Sequence, residues 1–100
     1  MAWNTTRTRN GEMYRIVFSR QAEKDRARLK QAGLEKKARE LLGVIMRDPY
    51  AAPPRYEKLT GDMQGLYSRR INIRHRLAYE VDEANGAVHV LRMWTHYGEN

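Results

Sequence analysis

The chain has 100 residues, no cysteine, and 19 lysine and arginine residues against 12 aspartate and glutamate residues, which gives a formal net charge of +7. A chain of this length forms one domain with one small core, so a two-domain active site or a doubly wound nucleotide-binding sheet is excluded. The absence of cysteine excludes disulfides, a thiolate nucleophile and a cysteine-based zinc site. The surplus of positive charge indicates a polyanionic partner, either nucleic acid or an acidic protein.

The location of the protein follows from what the sequence lacks. No apolar run approaches the roughly 20 residues of a membrane-spanning helix, and the N terminus lacks the apolar stretch of a secretory signal. We therefore expect a soluble, cytoplasmic protein without a membrane partner. Residues 1–12 are polar and show no periodicity, so we expect a flexible N-terminal extension, followed by a single domain over residues 13–100.

The first half of this domain has the pattern of one strand and two helices. Residues 13–18 are rich in β-branched and aromatic side chains and predict a strand. Ser19 is suited to cap a helix that ends before Gly33. Apolar residues recur at helical spacing from Leu34 onward and predict a second helix that ends near Asp48.

The second half has strand character. Residues 49–56 contain all three prolines and predict an extended connection. Three segments that alternate or carry β-forming residues follow it: 65–73, 75–82 and 87–95. The predicted fold is therefore α+β, with a small antiparallel four-stranded sheet, two helices packed on one face and the order β-α-α-β-β-β, which leaves the other sheet face open.

Positive charge is concentrated in one strip of this half. Residues 68–76 hold four arginines and one histidine but no acidic residue, whereas a merely solvated sheet face would carry mixed charges. Guanidinium groups bind phosphate oxygens and aromatic rings stack on unpaired bases, so the strip indicates an RNA-binding face. Glu57 precedes the strip and His96 follows it. A carboxylate and an imidazole in one patch supply a base and an acid for RNA cleavage without a metal ion.

Such cleavage makes three demands on a site. The RNA 2′-hydroxyl must lose a proton to attack its own 3′-phosphate, the charge of the phosphorane must be compensated, and the departing 5′-oxygen must gain a proton. Glu57 is suited to the first task, Arg76 to the second and His96 to the third. Histidine has an ordinary pKa of about 6.5, which suits proton transfer near neutral pH.

Each of these residues also has a structural explanation. Glu57 could be an exposed loop carboxylate paired with a neighbouring arginine. Phosphate contacts alone would explain the arginines of a non-catalytic, basic nucleic-acid-binding module. Such a module leaves unexplained the carboxylate at Glu57, which costs affinity beside a phosphate site. No ligand cluster for a metal or an organic cofactor is apparent, so we expect no cofactor.

An ordered series of motifs resembles the YoeB/Txe family of bacterial toxins in the RelE-like superfamily. The resemblance implies the toxin of a type II toxin-antitoxin pair, an mRNA interferase that cleaves mRNA in the ribosomal A site. It implies as partners a cognate antitoxin, the bacterial ribosome with its rRNA, and mRNA, and it leaves open a homodimer and an inactive toxin relative. The series covers about residues 53–97 and consists of Glu57-Lys-Leu, Gly65-Leu-Tyr-Ser-Arg-Arg-Ile, His75-Arg-Leu-Ala-Tyr and His96-Tyr97.

The same resemblance implies which residues are catalytic. The glutamate and arginine of the family match Glu57 and Arg76, and its terminal His-Tyr pair matches His96 and Tyr97. The charged residues of the two helices, in the range 20–39, are expected to form a solvated face. On a ribosome-bound protein this face could also contact rRNA phosphates.

Four further residues are expected to contact RNA. Arg70 matches a basic position near the substrate of the family, and Arg69 is its neighbour in the same motif. Tyr67 stands where the family commonly has tryptophan and is expected to stack on a base. Thr60 stands where relatives often carry a lysine, and Lys58 is the residue expected to replace that phosphate contact.

The turn between the last two strands decides whether the site can assemble. A two-residue turn would put Arg76 opposite Thr95, with His96 on the other face of the sheet. A three-residue loop over residues 84–86 would put Arg76 opposite Trp94 and on the same face as His96. The catalytic hypothesis requires the three-residue loop or a bulge near the C terminus.

Overall fold

The structure, a computed structural model, describes residues 13–95. The expected flexible extension at residues 1–12 and the residues from 96 onward lie outside the described part. No helix within the described part is long and apolar enough to cross a membrane. The elements, in chain order, are β1 (Arg15–Phe18), α1 (Arg20–Gln31), α2 (Glu35–Arg47), β2 (Glu57–Lys58), β3 (Tyr67–Arg70), β4 (Arg76–Asp82) and β5 (Ala87–Thr95).

The sheet is mixed and has five strands in the order β1-β5-β4-β3-β2. β1 runs parallel to β5, whereas the other neighbouring strands are antiparallel. The prediction of a four-stranded antiparallel sheet is therefore wrong in two details. The edge strand β2 has only two residues, too few to show a period, and the long connection between β1 and β5 permits their parallel pairing.

Two helices cover one face of this sheet, as the sequence predicts. The hydroxyl oxygen of Ser19 accepts a hydrogen bond from the backbone N–H of Ala22 (2.9 Å) and caps α1. Gly33 adopts a positive φ of 76° just after α1, a conformation that glycine takes without strain. The apolar stripe of α2 then packs on the sheet, and its buried residues are Ala38, Leu41, Leu42, Ile45 and Met46.

Strand alternation divides the sheet side chains between two faces. Residues that pair across neighbouring strands lie on the same face, so the division continues from strand to strand. The face under the helices is called the core face, and the opposite one the open face. The core face carries Leu77, Tyr79, Val88 and Val90, and the open face carries Ser68, Ala78, Glu80 and His89.

The β4–β5 hairpin differs from both turns considered above. Asp82 pairs with Ala87, so the loop comprises residues 83–86. Two register shifts follow, and Arg76 finally pairs with Thr95. Bulges of this kind insert an unpaired residue and change the face of those that follow. The observed register is thus reached through bulges rather than through the two-residue turn.

A buried carboxylate on α1 supports the bulged part of β5. Asp25 is fully buried, so the expectation that the helix charges form only a solvated face is wrong at this residue. One oxygen of Asp25 accepts hydrogen bonds from the backbone N–H of Met93 (2.9 Å) and from Nε of Arg92 (3.1 Å). Met93 lies beyond the part of β5 that pairs with β1, and Asp25 supplies the acceptor for its N–H.

Asp25→Ala should destabilise the protein by about 3 kcal/mol, because it leaves the buried N–H of Met93 and the guanidinium of Arg92 without their acceptor. Thermal unfolding followed by circular dichroism measures the effect. The matched variant Glu23→Ala removes an exposed carboxylate from the same helix and should cost about 0.5 kcal/mol or less. Equal stability of the two variants would show that Asp25 contributes no more than a surface charge.

Candidate active site

Glu57 and Arg76 meet on the open face of the sheet. Nη1 of Arg76 donates a hydrogen bond to Oε1 of Glu57 at 2.7 Å and another to Oγ of Ser68 at 3.3 Å. The register explains this contact, because Glu57 pairs with Ser68 and β3 in turn pairs with β4. Three neighbouring strands therefore contribute one side chain each to a single hydrogen-bonded group.

The two charged partners differ in exposure. The side chain of Arg76 is 7% exposed, whereas that of Glu57 is 45% exposed. The guanidinium is therefore held within the surface of the sheet, and the carboxylate reaches solvent. An open cleft surrounds the pair, and the residues that line it are Pro54, Arg55, Glu57, Ser68, Arg70 and Arg76.

The electrostatics of this cleft keep Glu57 ionised. The hydrogen bond from Arg76 lowers the pKa of the Glu57 carboxyl below its ordinary value of 4.5. Partial burial opposes this effect, and the charges of Arg76, Arg55 and Arg70 reinforce it. At neutral pH the carboxylate is thus in the form that can accept a proton.

Arg76→Ala should raise the pKa of Glu57 toward 4.5, because the variant lacks the hydrogen bond that chiefly lowers it. The folded pKa lies below the unfolded one, so the ion pair adds stability above the unfolded pKa and loses it as the pH falls through the folded pKa. NMR titration of the Glu57 carboxyl carbon in wild type and variant measures the shift. An unchanged titration of Glu57 in the variant would contradict this assignment.

Arg69 was expected to contact RNA but is buried on the core face, with 1% of its surface exposed. Its guanidinium donates hydrogen bonds to the backbone oxygens of Pro49 (2.9 Å), Ala51 (2.9 Å) and Pro54 (2.5 Å). Its Nε donates to the hydroxyl oxygen of Tyr79 at 3.0 Å. The prediction of an RNA contact at Arg69 is wrong, because these donors are used inside the protein to tie the connection before β2 to the sheet.

The side chains of Tyr67 and Lys58 lie on the face of the sheet opposite to that of Glu57. They pair with each other, and the half-buried ring of Tyr67 stacks on Tyr79 with ring centroids 5.6 Å apart. Both residues line a second cleft, which also includes Thr60. The structure therefore separates these two predicted RNA contacts from the cleft of Glu57.

Arg70 lies in the cleft of Glu57, where the sequence predicts a substrate contact, and Arg55 lies there too. Arg55 was not among the residues predicted from the sequence motifs. The signal that could have found it is strand alternation, because Arg55 precedes Glu57 by two residues and extended residues two apart share a face.

The C-terminal pair His96 and Tyr97 lies outside the described residues 13–95. β5 is described as far as Thr95, and the pairing of Thr95 with Arg76 brings this end of β5 next to the cleft. The faces that His96 and Tyr97 occupy, and their catalytic roles, stay predictions.

Sequence similarity to known proteins covers most of the chain. Residues 18–97 match the family described as the YoeB-like toxin of bacterial type II toxin-antitoxin systems. Toxin YoeB of Mycobacterium bovis is 39% identical over 57 residues, which cover 57% of this chain and 65% of that toxin. The matched segment thus spans slightly less than two thirds of the length of this relative.

Two solved structures share the fold over nearly their whole length. The YoeB-YefM complex from Staphylococcus aureus matches with a TM-score of 0.71 and 37% identity, over 84% of this chain and 98% of that one. The YoeB dimer from the same organism matches with a TM-score of 0.71 and 38% identity, over 82% and 95%. Two helices on a mixed five-stranded sheet define a small toxin of the RelE-like fold. Within this class, the chain belongs to the YoeB-like toxin family of bacterial type II toxin-antitoxin systems.

Proposed function

We propose that this protein is a ribosome-dependent endoribonuclease that cleaves mRNA in the ribosomal A site without a metal ion. The observation that supports this proposal is the Glu57–Arg76 pair, in which an accessible carboxylate lies 2.7 Å from a nearly buried guanidinium in an arginine-rich cleft. A carboxylate repels phosphate and weakens binding unless it takes part in the reaction. The pair therefore favours an enzyme over a non-catalytic nucleic-acid-binding module.

Glu57 is the general base in this mechanism. Its ionised carboxylate takes the proton of the 2′-hydroxyl, and the 2′-oxygen attacks the neighbouring phosphorus. In the free protein the lowered pKa of Glu57 makes it a weak base. A substrate phosphate that binds Arg76 competes for the guanidinium and adds negative charge beside Glu57, and both effects raise the basicity of the carboxylate when substrate is bound.

Arg76 compensates the charge of the phosphorane. Its side chain is 7% exposed and its guanidinium also contacts Ser68, so the position of this group is largely set before the substrate arrives. As the bond from O2′ to phosphorus forms, the bond from phosphorus to O5′ breaks. His96, with Tyr97 beside it in the sequence, supplies the proton that the 5′-oxygen takes up. The products are a 2′,3′-cyclic phosphate and a 5′-hydroxyl.

Cleavage of mRNA on programmed ribosomes tests this function. Wild type should cut in the A site and should cut free mRNA far more slowly, and Arg76→Ala and His96→Gln should be strongly impaired. Glu80→Gln is a matched control for carboxylate loss, because Glu80 is exposed on the same face but does not line the cleft. If wild type binds ribosomes without cutting, or if all variants cut alike, the protein is a binding module rather than an enzyme.

The protein partners are proposed by analogy with the S. aureus relatives, which occur as a YoeB-YefM complex and as a YoeB dimer. We propose that this chain binds a YefM-like antitoxin and also forms a homodimer. The net charge of +7 favours association with an acidic partner. Light scattering on the protein, alone and co-expressed with a YefM-like antitoxin, measures both assemblies.

The proposed rRNA contact lies on α2, where Lys36 and Lys37 are exposed in the first turns of the helix. Replacement of both by alanine should weaken ribosome binding and reduce its salt dependence, because fewer counterions are released from the rRNA. The single-turnover rate at saturating toxin should stay at the wild-type value. A lower rate with unchanged binding would place these lysines in the reaction instead.

A further inference from the structure

Among residues 13–95, three arginines and one glutamate line the cleft beside Glu57. Arg76 is almost covered and is engaged by Glu57 and Ser68. Arg55 and Arg70 are exposed, and neither forms a hydrogen bond or an ion pair within the part of the chain that the structure describes. Two cations of this cleft are therefore open to a ligand.

Arg55 and Arg70 flank the catalytic pair. Arg55 precedes Glu57 by two residues, a separation of about 7 Å along an extended chain. Arg70 pairs with Arg76 across β3 and β4. The charges of both Arg55 and Arg70 lower the pKa of Glu57, so both guanidinium groups lie within electrostatic reach of the carboxylate.

The charge of this cleft suits two phosphate groups. Glu57 offsets one guanidinium, which leaves two positive charges, and no other acidic side chain among residues 13–95 lines the cleft. A single-stranded RNA carries one negative charge per nucleotide. The scissile phosphate and one neighbour therefore balance the cleft, whereas a single phosphate leaves one guanidinium without a partner.

We infer that Arg55 and Arg70 form a second phosphate site, which binds the mRNA phosphate next to the scissile one while Arg76 binds the scissile phosphate. This inference rests on the proposed endoribonuclease function and extends it to the length of backbone that the enzyme recognises. Guanidinium groups bind phosphate through paired N–H donors, so the site sets the register of the backbone and not the identity of a base. Lys58 does not belong to this site, because it lies in the cleft on the other side of β2.

A single uncharged methylphosphonate in the mRNA tests this site on programmed ribosomes. The substitution is placed in turn on each side of the scissile phosphate, and on one side wild type should lose about tenfold in kcat/KM, as expected for one charge-assisted contact. Arg55→Ala should lose a similar factor on unmodified mRNA, mainly through KM. The methylphosphonate should cost this variant less than it costs wild type, because only the contact with Arg70 then remains to be lost.

Arg20→Ala is the matched control, because Arg20 is exposed at the start of α1 and does not line the cleft. It should keep the full loss on the methylphosphonate mRNA. If Arg55→Ala also keeps that loss, the second phosphate site is wrong while the endoribonuclease function stands. If wild type does not cleave unmodified mRNA, the proposed function is wrong and the second phosphate site with it.

Discussion

Glu57→Gln should slow mRNA cleavage by about 10²–10⁴-fold, the range in which a general base contributes to a rate. The amide cannot take the proton of the 2′-hydroxyl, but it has nearly the same size and its oxygen can still accept the hydrogen bond from Arg76. Because Glu57 is 45% exposed, the unfolding free energy should change little. Single-turnover cleavage on programmed ribosomes measures the chemical step separately from binding.

The matched variant Glu80→Gln replaces an exposed carboxylate on the same open face by an amide. It should cleave at the wild-type rate, because Glu80 does not line the cleft. Unchanged ribosome binding by Glu57→Gln would show that the loss lies in the reaction. A wild-type single-turnover rate in Glu57→Gln would exclude a general base at this position. The carboxylate would then serve only to hold the guanidinium of Arg76.

Arg69→Ala should have the largest effect on stability, a loss of about 3 kcal/mol or more. The variant leaves the backbone carbonyls of Ala51 and Pro54 without the donors that Arg69 supplies. The carbonyl of Pro49 and the hydroxyl of Tyr79 lose their bonds to Arg69 but keep the bond between them. Each buried polar group that loses its partner costs about 1–3 kcal/mol. Domains of this size are stable by about 5–15 kcal/mol. The melting temperature should therefore fall by roughly 12 °C or more, as measured by thermal unfolding.

Arg70→Ala is the matched control for stability, because Arg70 is the next residue along β3 and is exposed. It should cost about 0.5 kcal/mol or less. Equal melting temperatures of the two variants would contradict a structural role for Arg69. Since Arg69 holds the backbone of Pro54, just before Arg55, its loss should also disturb the cleft that Arg55 lines.

The spacing of apolar residues predicted those helices and strands in which buried side chains recur at a regular interval. The stripe of α2 is an example, because Ala38, Leu41, Leu42 and Ile45 are all buried. It could not predict β2, which has two exposed residues and is defined only by its pairing with β3. Nor does a local pattern show that β1 pairs with β5, since that pairing depends on how the whole chain closes.

The amino-acid sequence did not show which charged residues are buried. Asp25 lies on the apolar stripe of α1 together with Ala22 and Leu29, and that spacing is a signal that the side chain points inward. Arg69 likewise lies on the face of β3 opposite to Ser68, and it pairs with the core residue Leu77 of β4. Both are charged residues at core positions, whereas charge alone predicted a solvated helix face at Asp25 and an RNA contact at Arg69.

The central position of β5 has a consequence for synthesis of the protein. β5 is the last of the five strands in chain order, yet it lies between β1 and β4, and Arg15 pairs with Ala87, 72 residues later. Pairing between strands so distant in sequence forms slowly, because the entropy cost of closing a long loop comes before the stabilising contacts form. A nascent chain that has not reached β5 has two separate sheet fragments, so the completed toxin fold can form only after nearly all of the described chain has been translated.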